Sequence, residues 1–94
     1  MAFSFLTQEI AMDLGTANTV IFYNDEIALD QPSIVAIDNN TQKCIAIGQQ
    51  AKLMHEHTNP GIKTIRPLRN GVIADFNAAE MMIKGFIKQV NSRR

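Results

Sequence analysis

The 94-residue sequence has one cysteine, Cys44, one tyrosine, three prolines and no tryptophan. A lone thiol cannot close an internal disulfide, which argues against a disulfide-stapled secreted scaffold and fits a reducing compartment. Cys44 is therefore expected as a small buried hydrophobe. No run of about 18 apolar residues occurs, so no membrane-spanning helix is expected. The N-terminus also lacks the basic region and long apolar stretch of a secretory leader. An excess of either charge is missing too. Nine basic and nine acidic residues cancel, leaving no overall field to draw the chain onto nucleic acid or an anionic bilayer. These absences point to a cytoplasmic protein with no nucleic-acid partner.

What is present is globular in composition, with 46% hydrophobic and 19% charged residues, outside the range of disordered chains. A chain of this size buries only roughly 60–65% of the surface its unfolded form exposes, so the core is thin. From Glu9 to Leu14 apolar and polar positions alternate, which predicts a strand. The β-branched and aromatic run Thr19–Tyr23 predicts a second strand, and Ile27–Asp30, entered through the turn Asn24-Asp25, a third. The opening is thus expected to be a three-stranded meander. Beyond Pro32, the runs 33–37 and 44–47 flank a turn-rich stretch and predict a hairpin. A short helix follows over Gln49–His57, then a strand over Ile62–Arg66 broken by Pro67. The clearest element is a helix over Ala78–Val90. Asn77 and Glu80 are spaced as a capping box, and Met82, Ile83, Phe86, Ile87 and Val90 recur at helical spacing. Gly85 in its middle suggests close packing against a sheet, and Glu80 and Lys84 are spaced to pair across one turn.

The candidate site lies between the first two strands. Asp13 ends a strand, Gly15 follows, and Thr16, Ala17 and Asn18 complete a short polar turn. Glycine lets a backbone approach a ligand without a Cβ in the way, and successive N–H groups in such a turn can form an anion-binding nest. Asp13 would repel a phosphate directly, so its sensible partner is a hydrated Mg²⁺. Read from these residues alone, a ligand-free hairpin turn fits equally well. The string is neither a Walker A loop, since no Gly-Lys-Ser/Thr follows, nor a dinucleotide fingerprint.

The stretch from Ile10 to Thr19 resembles the first phosphate motif of the actin, chaperone and sugar-kinase superfamily. The form Asp13-Leu-Gly-Thr-Ala-Asn-Thr19 resembles more specifically that of the MreB-type bacterial actins. Gln31 to Ala36, then Ala46-Ile-Gly48 with Ala51-Lys52, and above all Arg66 to Phe76 recur in that family in the same order. A DnaK-type chaperone would show a different string at Arg66–Phe76.

The resemblance, which runs from about Glu9 to Val90, implies an α/β fold: an actin-like (ribonuclease H-like) half-domain with a meander, an inserted hairpin-and-helix subdomain and a C-terminal helix. It implies subdomain IA strands with the phosphate loop over residues 1–30, a IB-like insertion over 31–66, and a return connection with the IA helix over 67–94. It also implies ATP and Mg²⁺ as cofactors, with Gly15, Thr16, Ala17 and Asn18 wrapping the phosphates and Asp13 positioning the metal through water.

The function it implies is self-association into filaments that maintain rod shape and organise cell-wall synthesis. The second phosphate motif and the adenosine-binding motif lie in family sequences beyond the position of Arg94. The chain alone is therefore expected to lack ATPase activity and to need the rest of the actin-like fold as its partner. The apolar start Phe3, Phe5 and Leu6 resembles the membrane-touching start of some family members, with a terminus packed in the core or frayed as the alternative. The rival readings of the whole are a nucleotide-binding piece of a chaperone or sugar kinase, and a non-catalytic interaction module. His55 and His57, on different helix faces, are expected at the surface rather than on a metal, Met81 and Met82 in the core, and Arg66 and Arg69 solvated or paired.

Overall fold

A computed structural model describes residues 3–6, 10–57 and 60–93, with the backbone alone described at 3–6 and 56. The first sheet contains β1 (Phe3–Leu6), β2 (Ile10–Leu14), β3 (Asn18–Tyr23) and β4 (Glu26–Pro32) in the order β1-β2-β3-β4. Each strand is antiparallel to the next. The expected three-stranded meander thus gains a fourth strand, because the backbone of Phe3–Leu6 pairs with Leu14–Ala11 along the free edge of β2. The side chains of Phe3, Phe5 and Leu6, on which the membrane reading turned, lie outside the description. Asn24 and Asp25 both take positive φ, 51° and 65°, the geometry of a tight turn whose twist matches the strands it joins.

A second sheet contains β5 (Val35–Asp38), β6 (Cys44–Ile47) and β7 (Ile62–Ile65) in the order β6-β5-β7. The helix α1 (Gln49–Glu56) packs on it, and its first N–H is capped from a distance, since Gln49 N–H donates to Gln31 Oε1 at 2.8 Å. Next comes a short hairpin absent from the sequence-based expectations, β8 (Leu68–Arg69) and β9 (Val72–Ile73). Its tip is Asn70-Gly71, with φ of 54° and 76°. An Asn-Gly pair is the strongest short hairpin signal, because both positions must sit at positive φ.

The last helix, α2, runs Phe76–Ser92, starting two residues earlier than expected. Its cap is Asp75, whose carboxylate accepts from Ala78 N–H at 2.9 Å, so the Asn77–Glu80 capping box does not form. The reason is local: Asp75 has extended backbone geometry (φ −139°) and the required oxygen, while Asn77 is already inside the first turn. Glu80 and Lys84 do approach, at 3.9 Å, with both side chains exposed.

The main core joins Met12, Leu14, Ile21 and Leu29 of the first sheet to Val35 and Ile37 of β5 and to Ala78, Met82, Phe86 and Val90 of α2. Met81 packs against this core partly buried, so both methionines serve as filling. Gly85 faces the second sheet, where an added Cβ would collide with the Ile47 Cδ1 atom. A smaller cluster of Ile34, Ala36, Ala46 and Ala51 lies on the α1 side. Cys44 departs from expectation, being exposed. It begins β6, an edge strand, straight after the polar turn.

Candidate functional site

Gly15 to Asn18 form the turn between β2 and β3. Gly15 N–H donates to Asn18 O at 2.9 Å, closing the turn. A Cβ at Gly15 would stand 2.5 Å from that same carbonyl. The glycine is therefore required by the turn itself, before any ligand is considered.

Ser33, the residue just past the end of β4, holds this turn from beneath. Ser33 N–H donates to Ala17 O at 2.8 Å, and Ser33 Oγ donates to Gly15 O at 2.7 Å. Thr19 Oγ1 lies 2.8 Å from Ser33 Oγ. Because the serine proton is committed to Gly15, the threonine hydroxyl is the donor in that contact. Thr19 and Ser33 are both fully buried, and no buried side-chain polar atom among the described residues lacks a partner. Sequence reading placed Ser33 merely at a strand start; nothing in its immediate neighbours shows that it will meet Gly15, 18 positions away.

Two carbonyls of the turn are thus drawn inward, and its outer surface is left with donors. The N–H groups of Thr16 and Ala17 meet no acceptor among the described residues, and both residues are exposed. Thr16 Oγ1 accepts from Gly71 N–H at 2.8 Å, tying the turn to the tip of the β8–β9 hairpin. A cleft of about 460 Å³ opens over the turn, lined by Thr16, Ala17, Asn18, Asp30, Lys52 and Arg66. Asn18 Nδ2 donates to Asp30 Oδ1 at 3.1 Å, which engages the one carboxylate lining that cleft. A second cleft of about 520 Å³ shares Thr16 and Arg66 and adds His55, Thr64, Arg69 and Asn70. Arg66 and Arg69 are exposed and pair with no carboxylate among the described residues, as the solvated reading expected.

Asp13 is exposed on the face of the first sheet that turns away from the core, in one cross-strand row with Val20 and Asp30. It is not among the residues lining either cleft. Among the described residues no group of three or more metal-ligating side chains gathers. His55 Nδ1 sits 2.6 Å from Thr64 Oγ1, and His57 Nδ1 2.7 Å from Leu53 O. Both histidines are exposed. The structure therefore brings Gly15, Thr16, Ala17 and Asn18 together in one turn whose N–H groups at Thr16 and Ala17 meet no acceptor among the described residues, keeps Asp13 at the adjoining strand end, and adds Ser33 and Gly71.

Comparison with known proteins follows the same lines. A family model described as MreB/Mbl protein matches residues 7–94. The Mbl cell shape-determining protein of Bacillus subtilis is 46% identical over 85 residues, covering 89% of this chain and 26% of that protein. The MreB cell shape-determining protein of Haemophilus influenzae is 48% identical over 91 residues, covering 92% of this chain and 26% of that protein. Among solved structures, MreB5 of Spiroplasma citri bound to ADP superposes with a TM-score of 0.76 at 33% identity, covering 88% of this chain and 26% of that one. The same protein bound to AMPPNP gives 0.71 at 36% identity, covering 87% of this chain and 24% of that one. The chain spans about a quarter of the length of the relatives it matches. The mixed strands and helices are those of an actin-like fold, the chaperone and sugar-kinase readings are not favoured, and the chain belongs to the MreB/Mbl family.

Proposed function

We propose that the chain provides the first phosphate-binding loop of an ATP-dependent, filament-forming protein that determines cell shape. The observation that carries the reading is the turn Gly15–Asn18. Its carbonyls at Gly15 and Ala17 are bonded to Ser33, and Thr16 and Ala17, whose N–H groups meet no acceptor among the described residues, line a cleft. Such successive outward N–H groups favour an anion without the cost of rearranging the backbone when it arrives. The two superposable MreB5 structures are bound to ADP and to AMPPNP, which supports a nucleotide as that anion.

Gly15, Thr16, Ala17 and Asn18 would wrap the phosphates, with the N–H groups of Thr16 and Ala17 as donors. An exposed, single carboxylate at Asp13 fits contact with a hydrated Mg²⁺, an ion that keeps several waters and takes few protein carboxylates. When bound, the ion would neutralise phosphate charge. Lys52 and Arg66, which line the cleft, add positive charge along its wall. By itself the chain is not an ATPase, because phosphoryl transfer needs groups converging from several elements and these residues provide one loop. In this reading residues 31–66 form the small inserted subdomain and 67–94 the return to the main one. Cytoplasmic polymers of identical subunits would then do the work, and weak membrane contact through Phe3, Phe5 and Leu6 would count only when many copies act together.

Titration of the chain with Mg-ADP, followed by amide NMR, tests the reading. Shifts concentrated at Gly15–Asn18 and lost in Gly15→Val are expected. Shifts elsewhere, or none at millimolar nucleotide, would sink it.

A further inference from the structure

We infer that Gln31 is a positioning residue that sets Lys52 against the anion over the turn, an inference that rests on the reading just given. Lys52 lines the first cleft and makes no ion pair among the described residues. The carboxylate on that cleft wall, Asp30, is engaged by Asn18 instead. An ammonium with no carboxylate partner, beside a turn with two unmatched N–H groups, is arranged for an anion rather than for a salt bridge. Its placement depends on α1, which has eight residues and is too short to hold its shape by backbone bonding alone.

Gln31 supplies what that helix lacks. Gly48 stands at its N-cap with no side chain to cap with, and its φ of 66° is one that glycine holds without strain. The missing oxygen comes from the first sheet. Gln31 Oε1 accepts Gln49 N–H at 2.8 Å across 18 positions of sequence, which satisfies one of the orphan donors of the first turn. The fit leaves no slack, since a Cβ at Gly48 would collide with Gln31 Oε1 and stand 3.0 Å from Phe86 Cε1. Lys52 N–H donates to Gly48 O at 3.0 Å. Lys52 follows Gln49 at a spacing that puts both on one helix face, and both line the cleft. In the sheet register Gln31 lies opposite Thr19, and Ser33, close behind it, holds the Gly15 and Ala17 carbonyls. The short stretch from Gln31 to Ser33 therefore fixes both sides of the cleft, the turn through Ser33 and the lysine-bearing helix through Gln31.

A double-mutant cycle on the chain tests this, with affinity for Mg-ADP read from amide shifts at Gly15–Asn18. Gln31→Met and Lys52→Met are each expected to weaken binding roughly two- to fivefold, the range of a solvent-accessible charge interaction. Together they should weaken it no more than Lys52→Met alone, because Gln31 acts through Lys52. Amide exchange at Gln49 should speed in Gln31→Met and stay slow in Gln31→Glu, which keeps the acceptor oxygen, while the core amide of Phe86 keeps its protection in both. Additive losses in the double variant, or unchanged affinity in Gln31→Met, would overturn the inference and leave the phosphate reading standing. So would faster exchange at Phe86 in Gln31→Met, since Gln31 would then prop the core rather than the cleft wall. No ADP shift at Gly15–Asn18 in the wild type would overturn both.

Discussion

The two larger sheets bury themselves in different ways. In the second sheet β5 is covered on both sides: Val35 and Ile37 join the core beneath α2, while Ile34, just ahead of the strand, and Ala36 pack on the α1 side. In the first sheet one face carries Met12, Leu14, Ile21 and Leu29 into that same core. The other face presents Asp13, Asp30 and an Ile27 that is 64% exposed. The difference teaches where the candidate site can sit. A strand buried on both faces has no room for a ligand, whereas a strand end on a half-covered sheet can offer a turn whose donors reach solvent.

The largest test asks whether the two sheets share one core. Phe86 is fully buried in the cluster that contains residues of both. Phe86→Ala should remove about 3–5 kcal/mol, a large part of the stability of a domain this size. Urea unfolding followed by probes in each sheet should show one shared, lowered midpoint. Separate midpoints would split the molecule into two units.

A smaller effect is expected at Ser33, where the asymmetry between sheets is bolted down. Ser33→Ala leaves Gly15 O without its donor and the buried Thr19 hydroxyl without its acceptor. The expected loss is about 1–3 kcal/mol, read as a lowered urea midpoint at unchanged slope, and anion binding at the turn should weaken with it. Full anion affinity in this variant would mean that the turn does not depend on its underside.

Ile27→Lys examines the uncovered face directly. At 64% exposure the change should stay within about 0.5 kcal/mol of the parent. A clear destabilisation would show that this face packs against something in solution.

The smallest effect concerns Cys44, exposed at the edge of the second sheet. Desolvation raises its thiol above the ordinary value, partly offset by the contact with Ala46 O. A raised pKa means less thiolate at pH 8, and the thiolate is the reactive form. Alkylation should therefore be slower than that of the unfolded chain at pH 8, with the gap closing as pH rises. Equal rates at pH 8 would contradict it.

Much of this architecture was legible in local pattern. Alternation marked β2, the branched run marked β3, and helical spacing marked Met82, Phe86 and Val90 as the buried stripe of α2. Where two local signals competed, the pattern misled: Asp75 and Asn77 both suit a cap, and only backbone geometry chose Asp75. Asn70-Gly71 carries a hairpin signal, but its flanking strands are only two residues long, too short for alternation to mark them. Of the site, Gly15 through Asn18 stood out by residue type. Ser33 and Gly71 did not, since a serine after a proline and a glycine after an asparagine are ordinary turn residues.

By itself, then, the sequence determined the order of β2 to β7 with the two helices, the stripe that α2 buries and the turn that carries donors, because spacing and residue type act over a few positions. Tertiary structure alone decided that Ser33 draws the turn's carbonyls inward, that Gly71 grips Thr16, and that Cys44 stays at an open edge. Each of these depends on contacts or coverage between segments far apart in the chain, and no local preference encodes which distant group will arrive there.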